Sequence, residues 1–542
     1  QGLATNSLNF LMAEEFIWFN SAHPATAPTV KTHYAEPTGT VIMRAGWPNG
    51  GADGSSNVTH MIFQCGDHFA YHQHYDQNSF TLFKGGDLLV DSGVYSENGL
   101  SFHDRDYYVR TIAHNTLIVY NPTEDFSSSR PGASLNDGGQ RSFTPASRSP
   151  TSLDYFQKHI TSYDTGDILH FDDQPGYTYI SGDATKAYNN PSYNQAMNTP
   201  LSGNTAKVSR FIREFVYLRD PAGVSPNEKV VLLDRVGVTS SQFSGSNTKL
   251  LFHTLNEPVV FGQGEILSPG ETLYPNANIA TASSANGRLT MQFLYPLTRN
   301  VRKVGGRGEK AFWVFGTNVD WHWNATENQP RPTSTFDPLP YGEWRLELEP
   351  TDNQLDHLFL TVLHPSLQSD APTQPAQLIH GSGLVGAFIP CTTTNRIVLF
   401  SAAHDGAPPV GPVNFSVPSA EQVSILMFDL PPDAKYHLQV TQNLITLIPH
   451  PAGSHTVNSQ GVLAFSVTPE PFLTLGAIQI NSEGDFEFTV QGPNGATVLI
   501  EETETLSGWT QIGSGTLTNG QFHFTAPVLT GEGTKFFRAR FP

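Results

Sequence analysis

Disulfides play almost no part in this chain, because its 542 residues include only two cysteines, Cys65 and Cys391. A covalent framework therefore cannot replace a hydrophobic core, and the spacing does not say whether the two pair. Charge is scarce as well, at 15% of residues, and basic charge is scarcest: 30 Lys and Arg against 49 Asp and Glu give a net charge of -19. That deficit argues against nucleic acid as a partner, since phosphate binding needs a lysine and arginine footprint. A local basic cleft could still take an anionic polymer, because salt screens the far field within about 10 Å. No stretch approaches the roughly 20 apolar residues of a membrane span. The chain opens at Gln1 with neither Met nor an apolar leader, so the expectation is a cleaved, secreted product, extracellular or periplasmic.

What is abundant is turn chemistry and large apolar side chains. Gly (47) and Pro (39) accompany 38% hydrophobic and 11% aromatic residues, a balance that favours short strands and turns over amphipathic helices. One segment has helical spacing, Ser7 to Phe19. From about Thr38 the pattern becomes short alternating runs such as Thr40 to Arg44, Phe80 to Phe83, Asn115 to Tyr120 and Val230 to Val236. The chain is too long for one core, and Pro-rich breaks fall at Pro365 to Pro375 and at Thr468 to Pro471. The fold expected is all-β. A helical segment at 1–25 leads into a large antiparallel β-sandwich at 26–365, a smaller sandwich at 366–468 and a C-terminal β module at 469–542.

The densest chemistry lies between His72 and Asn115. Tyr71-His72-Gln73-His74-Tyr75-Asp76 puts two imidazoles two residues apart, on one face if the segment is a strand. After a Gly85-Gly86 turn the next strand ends in Asp91-Ser92-Gly93, and Ala113-His114-Asn115-Thr116 follows. Two imidazoles and a carboxylate on adjacent strands make an N,N,O set with an open position, suited to zinc or another divalent ion. With 20 histidines in the chain an H-x-H also arises by chance, and two strand histidines can simply sit on a polar face. What favours chemistry is the local crowding, with His68, His103, Asp104, Arg105, Asp106, Tyr107, Tyr108 and Arg110 in the same stretch. A cupin would need Glu where Asn78 stands, and an amidohydrolase would need a helix after nearly every strand.

The run from His72 to Asn115 resembles the heparinase II/III-type polysaccharide lyases, a group that includes alginate and oligoalginate lyases. The resemblance is carried by H-x-H-x-D, a Ser-Phe strand, a Gly-Gly turn, Asp-Ser-Gly and Arg-Thr-x-Ala-His-Asn-Thr. Similar stretches recur at Gly176 to Tyr188, Ser209 to Asp220, Phe252-His253-Thr254 and Gly342 to Arg345, so that it spans about residues 1 to 365. It implies that His74, Asp91 and His114 hold one zinc of mainly structural role, and that His72 and Tyr108 are catalytic, with Tyr107 and Tyr95 as fallbacks. It also implies β-elimination on a uronic acid within an anionic polysaccharide, with Lys84, Arg105 or Arg110 facing the substrate carboxylate. The family's α-helical toroid, which completes the site from the opposite wall, is not among these residues. The expectation is then the sandwich half of a cleaved enzyme, working with a separate toroid-containing fragment, or a noncatalytic structural or glycan-binding protein that self-associates.

Overall fold

The computed structural model describes residues 30–46, 57–69, 72–94, 102–124, 135–141, 150–189, 193–194, 199–200, 205–220, 227–319, 323–324, 329–330, 341–419, 421–469, 473–492, 495–505, 507–518, 520–527 and 535–542. The expected helix at Ser7 to Phe19 and the fallback Tyr95 lie outside them. Within them the chain is mostly β, built of several antiparallel sheets with no long helix.

Five strands come first: β1 (Thr32–Ala35), β2 (Thr40–Arg44), β3 (His60–Gln64), β4 (Ser79–Phe83) and β5 (Asp87–Leu89), paired in that order. Their alternation decides which face is buried. In β2, Val41 and Met43 point inward while Ile42 is outside, and in β3 Met61 and Phe63 are inside while Ile62 is outside. The inward set meets an eight-stranded sheet centred on Val208–Leu218, Lys229–Val238 and Asp356–Leu367. A six-stranded sheet closes the same core and ends in β6 (Leu117–Val119) beside Thr248–Thr254. Phe215 joins the layers, with Phe63 and Phe80 edge-on at 5.5 and 5.3 Å.

Strand Lys229–Val238 is buried along its whole length, which requires cover on both faces. Val230 and Leu232 enter the first core, whereas Val231 and Leu233 pack against Val385, Val398 and Phe400 of a following sandwich. That unit pairs a five-stranded sheet from Gln377–Gly381 to Leu463–Val467 with a four-stranded one. One pair in it is parallel, Asn395–Ser401 with Val423–Met427. Arg235 ties the two units together, donating to the carbonyls of Ser401 and Ala403 and to Asp429 Oδ2. The last strands, Thr474–Leu475 to Phe536–Arg540, form two small sheets around Phe488, Val490, Val498 and Ile500. Cys65 is buried and Cys391 partly exposed, and they are not bonded to each other.

Candidate functional site

The H-x-H pair does not lie on a strand. Residues 72–78 form an irregular approach to β4, in which Ser79 N–H closes a turn onto Asp76 O at 2.9 Å. Asn78 takes φ 59°, a left-handed conformation that Asn tolerates, and its Nδ2 donates to Gly182 O at 2.8 Å. The two imidazoles therefore part company. His72 stays exposed in the turn, and His74 comes in half-buried with its Nδ1 3.3 Å from His114 Nε2.

Two strands deliver the other members, and two side chains lock them. Asp91 follows β5, and His114 sits between a short 3-10 turn at Thr111–Ala113 and β6. Asn115 Nδ2 donates to Phe80 O (2.8 Å) and Val90 O (3.0 Å), while its Oδ1 accepts from His253 N–H at 2.6 Å. From behind, the buried Arg213 donates to the carbonyls of Asn78 and Asn115, both at 2.7 Å, and pairs with Asp234 at 2.6 Å. The backbone carrying the cassette is thus held by an amide and a guanidinium with no slack in either.

The electrostatics centre on His114. A carboxylate only accepts, so at 2.9 Å His114 Nδ1–H donates to Asp91 Oδ1 and leaves Nε2 towards His74. Burial opposes the His114 charge, but Asp91 outweighs it and holds the imidazole above its ordinary range. Burial likewise pushes Asp91 up, yet His114 and then His74 bring its carboxyl below the usual range. Asp76 is pushed up to about 6, by burial first, with His114 offsetting and Asp91 adding to the rise. Motif reading missed His253 as a neighbour. It is fully buried, and burial, Arg345 and His114 push it down to about 3.

The two tyrosines separate cleanly. Tyr107 is fully buried, its hydroxyl 2.9 Å from Ser92 Oγ and its ring edge-on to Phe312 at 5.2 Å, so it belongs to the core. Tyr108 is half-buried and sets its ring edge-on to His74, centroids 4.8 Å apart. Burial, then Asp91 and Asp104, raise its phenol above the ordinary range.

Two of the three expected substrate cations need correction. Lys84 is 1% exposed and ion-paired with Glu228, and Arg110 is 0% exposed and paired with Asp137 at 2.6 Å. Each neutralises an internal carboxylate and presents no face to a substrate. Arg105 lies half-buried on the single turn Asp104–Tyr108 beside Tyr108.

A zinc held by His74, Asp91 and His114 would need all three side chains to converge on one point. The 3.3 Å between His74 Nδ1 and His114 Nε2 is what two donors about 2.0–2.1 Å from one tetrahedral ion impose. Asp91 instead meets the other nitrogen of His114, as the carboxylate that orients a metal-bound imidazole. The imidazole pair fits a divalent ion, and the N,N,O triad does not close. Among the described residues no group of three or more His, Cys, Asp or Glu is disposed to hold one.

Comparison with known proteins bears on the same segment. Residues 28–154 match the family model described as heparinase II/III-like, C-terminal. The chain carries a heparinase II/III-like C-terminal domain. That domain contains β1 to β6 and every member of the cassette except His253. No match is found among curated proteins. Among solved structures, one similar to this chain is a heparan sulfate lyase HepC mutant from Pedobacter heparinus, at 13% identity and TM-score 0.40, covering 70% of this chain and 44% of that one. Two heparinase III structures are similar at 14% and 12% identity, each with TM-score 0.37 and covering 70% of this chain and 43% of theirs. The chain thus spans less than half the length of each.

Proposed function

We propose that this protein is a polysaccharide lyase, or the sandwich half of one, that cleaves a uronic-acid-containing glycan by β-elimination outside the cytoplasm. The observation that carries the reading is Tyr108 set against His74 at the end of the Asp91–His114 pair, inside the heparinase-like domain. Elimination needs a base for the C5 proton and an acid for the departing O4, and it consumes no water. A phenol that stays protonated suits the acid, and the exposed imidazole of His72 suits the base. The hydrogen bond between Asp91 and His114 behind His74 fixes that ring, while Arg105, on the turn that carries Tyr108, would face the uronate carboxylate. A divalent ion on His74 Nδ1 and His114 Nε2 would supply positive charge beside that carboxylate and hold the two rings in register.

The test is the ultraviolet absorbance of the unsaturated product, followed with several uronans, with and without a toroid-containing partner. Product formation that falls in Tyr108→Phe supports the reading. Absence of product with every uronan, together with glycan binding that survives Tyr108→Phe and His72→Ala, would replace it with the noncatalytic one.

A further inference from the structure

Next to the cassette, strands β3, β4 and β5 of the five-stranded sheet carry a cavity of about 300 Å³. His60, Thr81, Phe83, Asp87, Val90 and Asp91 line it. The register explains why these residues meet: His60 of β3 opposes Phe83 of β4, and Phe83 opposes Asp87 of β5. At the small end of the range for ligand cavities, it has room for one sugar ring. Asp91 belongs to both cavity and cassette, so a ring seated here is next to the one undergoing elimination.

The chemistry of the lining is one-sided. Two carboxylates, Asp87 and Asp91, line the space, and among the described residues lining it there is no lysine or arginine, the cation Arg44 standing opposite His60 on the neighbouring strand. His60 supplies no compensating charge, because burial and then Arg44 hold its imidazole below the ordinary range. Hydroxyl or amide hydrogens on a sugar find acceptors on both aspartates, with Thr81 and His60 as further partners. A second uronate or a sulfated sugar would meet like charge there.

We propose that this cavity seats an uncharged sugar beside the cleaved uronate, so that the substrate is an unsulfated alternating polymer rather than a polyuronate or a sulfated chain. This rests on the lyase reading above. The test compares initial rates on unsulfated chondroitin, its sulfated form, polymannuronate and polyguluronate, for the wild-type chain and Asp87→Asn, alongside binding of the corresponding tetrasaccharides.

The expected result is higher kcat/KM on the unsulfated alternating polymer, a preference that Asp87→Asn narrows by about 2- to 5-fold, as befits one exposed charge. Equal or faster cleavage of a polyuronate or of the sulfated chain would overturn the inference and leave the lyase reading standing. A preference unchanged in Asp87→Asn would overturn it too. No product from any polymer would remove the lyase reading, and tetrasaccharide binding would then decide this one. It survives if the uncharged-neighbour sugar binds best in an Asp87-dependent way and falls otherwise.

Discussion

Replacing Arg213 tests how the cassette is held. Its guanidinium is fully buried, pairs with Asp234 at 2.6 Å and caps the carbonyls of Asn78 and Asn115 at 2.7 Å. In Arg213→Met the Asp234 carboxylate stays buried without its cation, next to Glu214, whose charge already opposes it. Breaking such a pair by removing one partner costs about 3–5 kcal/mol. At about 2 °C per kcal/mol for a large domain, the calorimetric transition of the sandwich should fall by about 6–10 °C. Removing both partners leaves no orphaned charge, so Arg213→Met with Asp234→Leu should regain at least half of that loss. Differential scanning calorimetry reads the transition, and hydrogen exchange at Asn115 to Val119 reports whether the cassette loosens with it. A single variant within about 1 kcal/mol of wild type, or a double variant as unstable as the single, would refute the reasoning.

Three further outcomes follow from the site. His253 is neutral in the fold, pushed down to about 3, whereas in the unfolded chain it takes a proton near pH 6.5. Stability should therefore fall as pH drops from about 6.5 towards 3, and urea midpoints at pH 7 and 4.5 should differ less in His253→Leu than in wild type. An undiminished difference would contradict that account. Metal analysis should find about one zinc per chain, lost in His74→Ala, while Asp91→Ala weakens binding by about 10- to 100-fold without abolishing it. Complete loss in Asp91→Ala would make that carboxylate a direct ligand. Tyr107→Phe should cost about 1 kcal/mol of stability through the lost Ser92 contact and leave turnover within a few fold, which thermal melts and steady-state rates would check.

Local periodicity made the fold legible, because alternation such as Val41 and Met43 in, Ile42 out, states both the strand and its buried face. The meeting of His74, Asp91 and His114 was legible too, since Asp91 follows β5, His114 precedes β6 and His74 lies on the approach to β4. What stayed hidden was non-local. Lys84 and Arg110 read as exposed cations because their partners, Glu228 and Asp137, are distant in sequence and only the fold brings them together. His253 is hidden for the same reason: its strand pairs with β6, and its amide is claimed by Asn115. The H-x-H spacing misled because Asn78 turns left-handed before β4, ending the extended run that period two presumes. The choice between Tyr107 and Tyr108 lies in a single turn, Asp104–Tyr108, that strand reasoning does not reach.

The central claim is that Tyr108 and the histidines of this cassette carry out β-elimination on a uronan, and one measurement tests it directly. The purified chain, alone and with a toroid-containing partner, is incubated with uronans while the absorbance of the unsaturated product is followed for wild type and Tyr108→Phe. The account predicts product from wild type and a rate about 10²- to 10⁴-fold lower in Tyr108→Phe at unchanged stability. Product formed at the wild-type rate by Tyr108→Phe, or none from any uronan with either form, would contradict it.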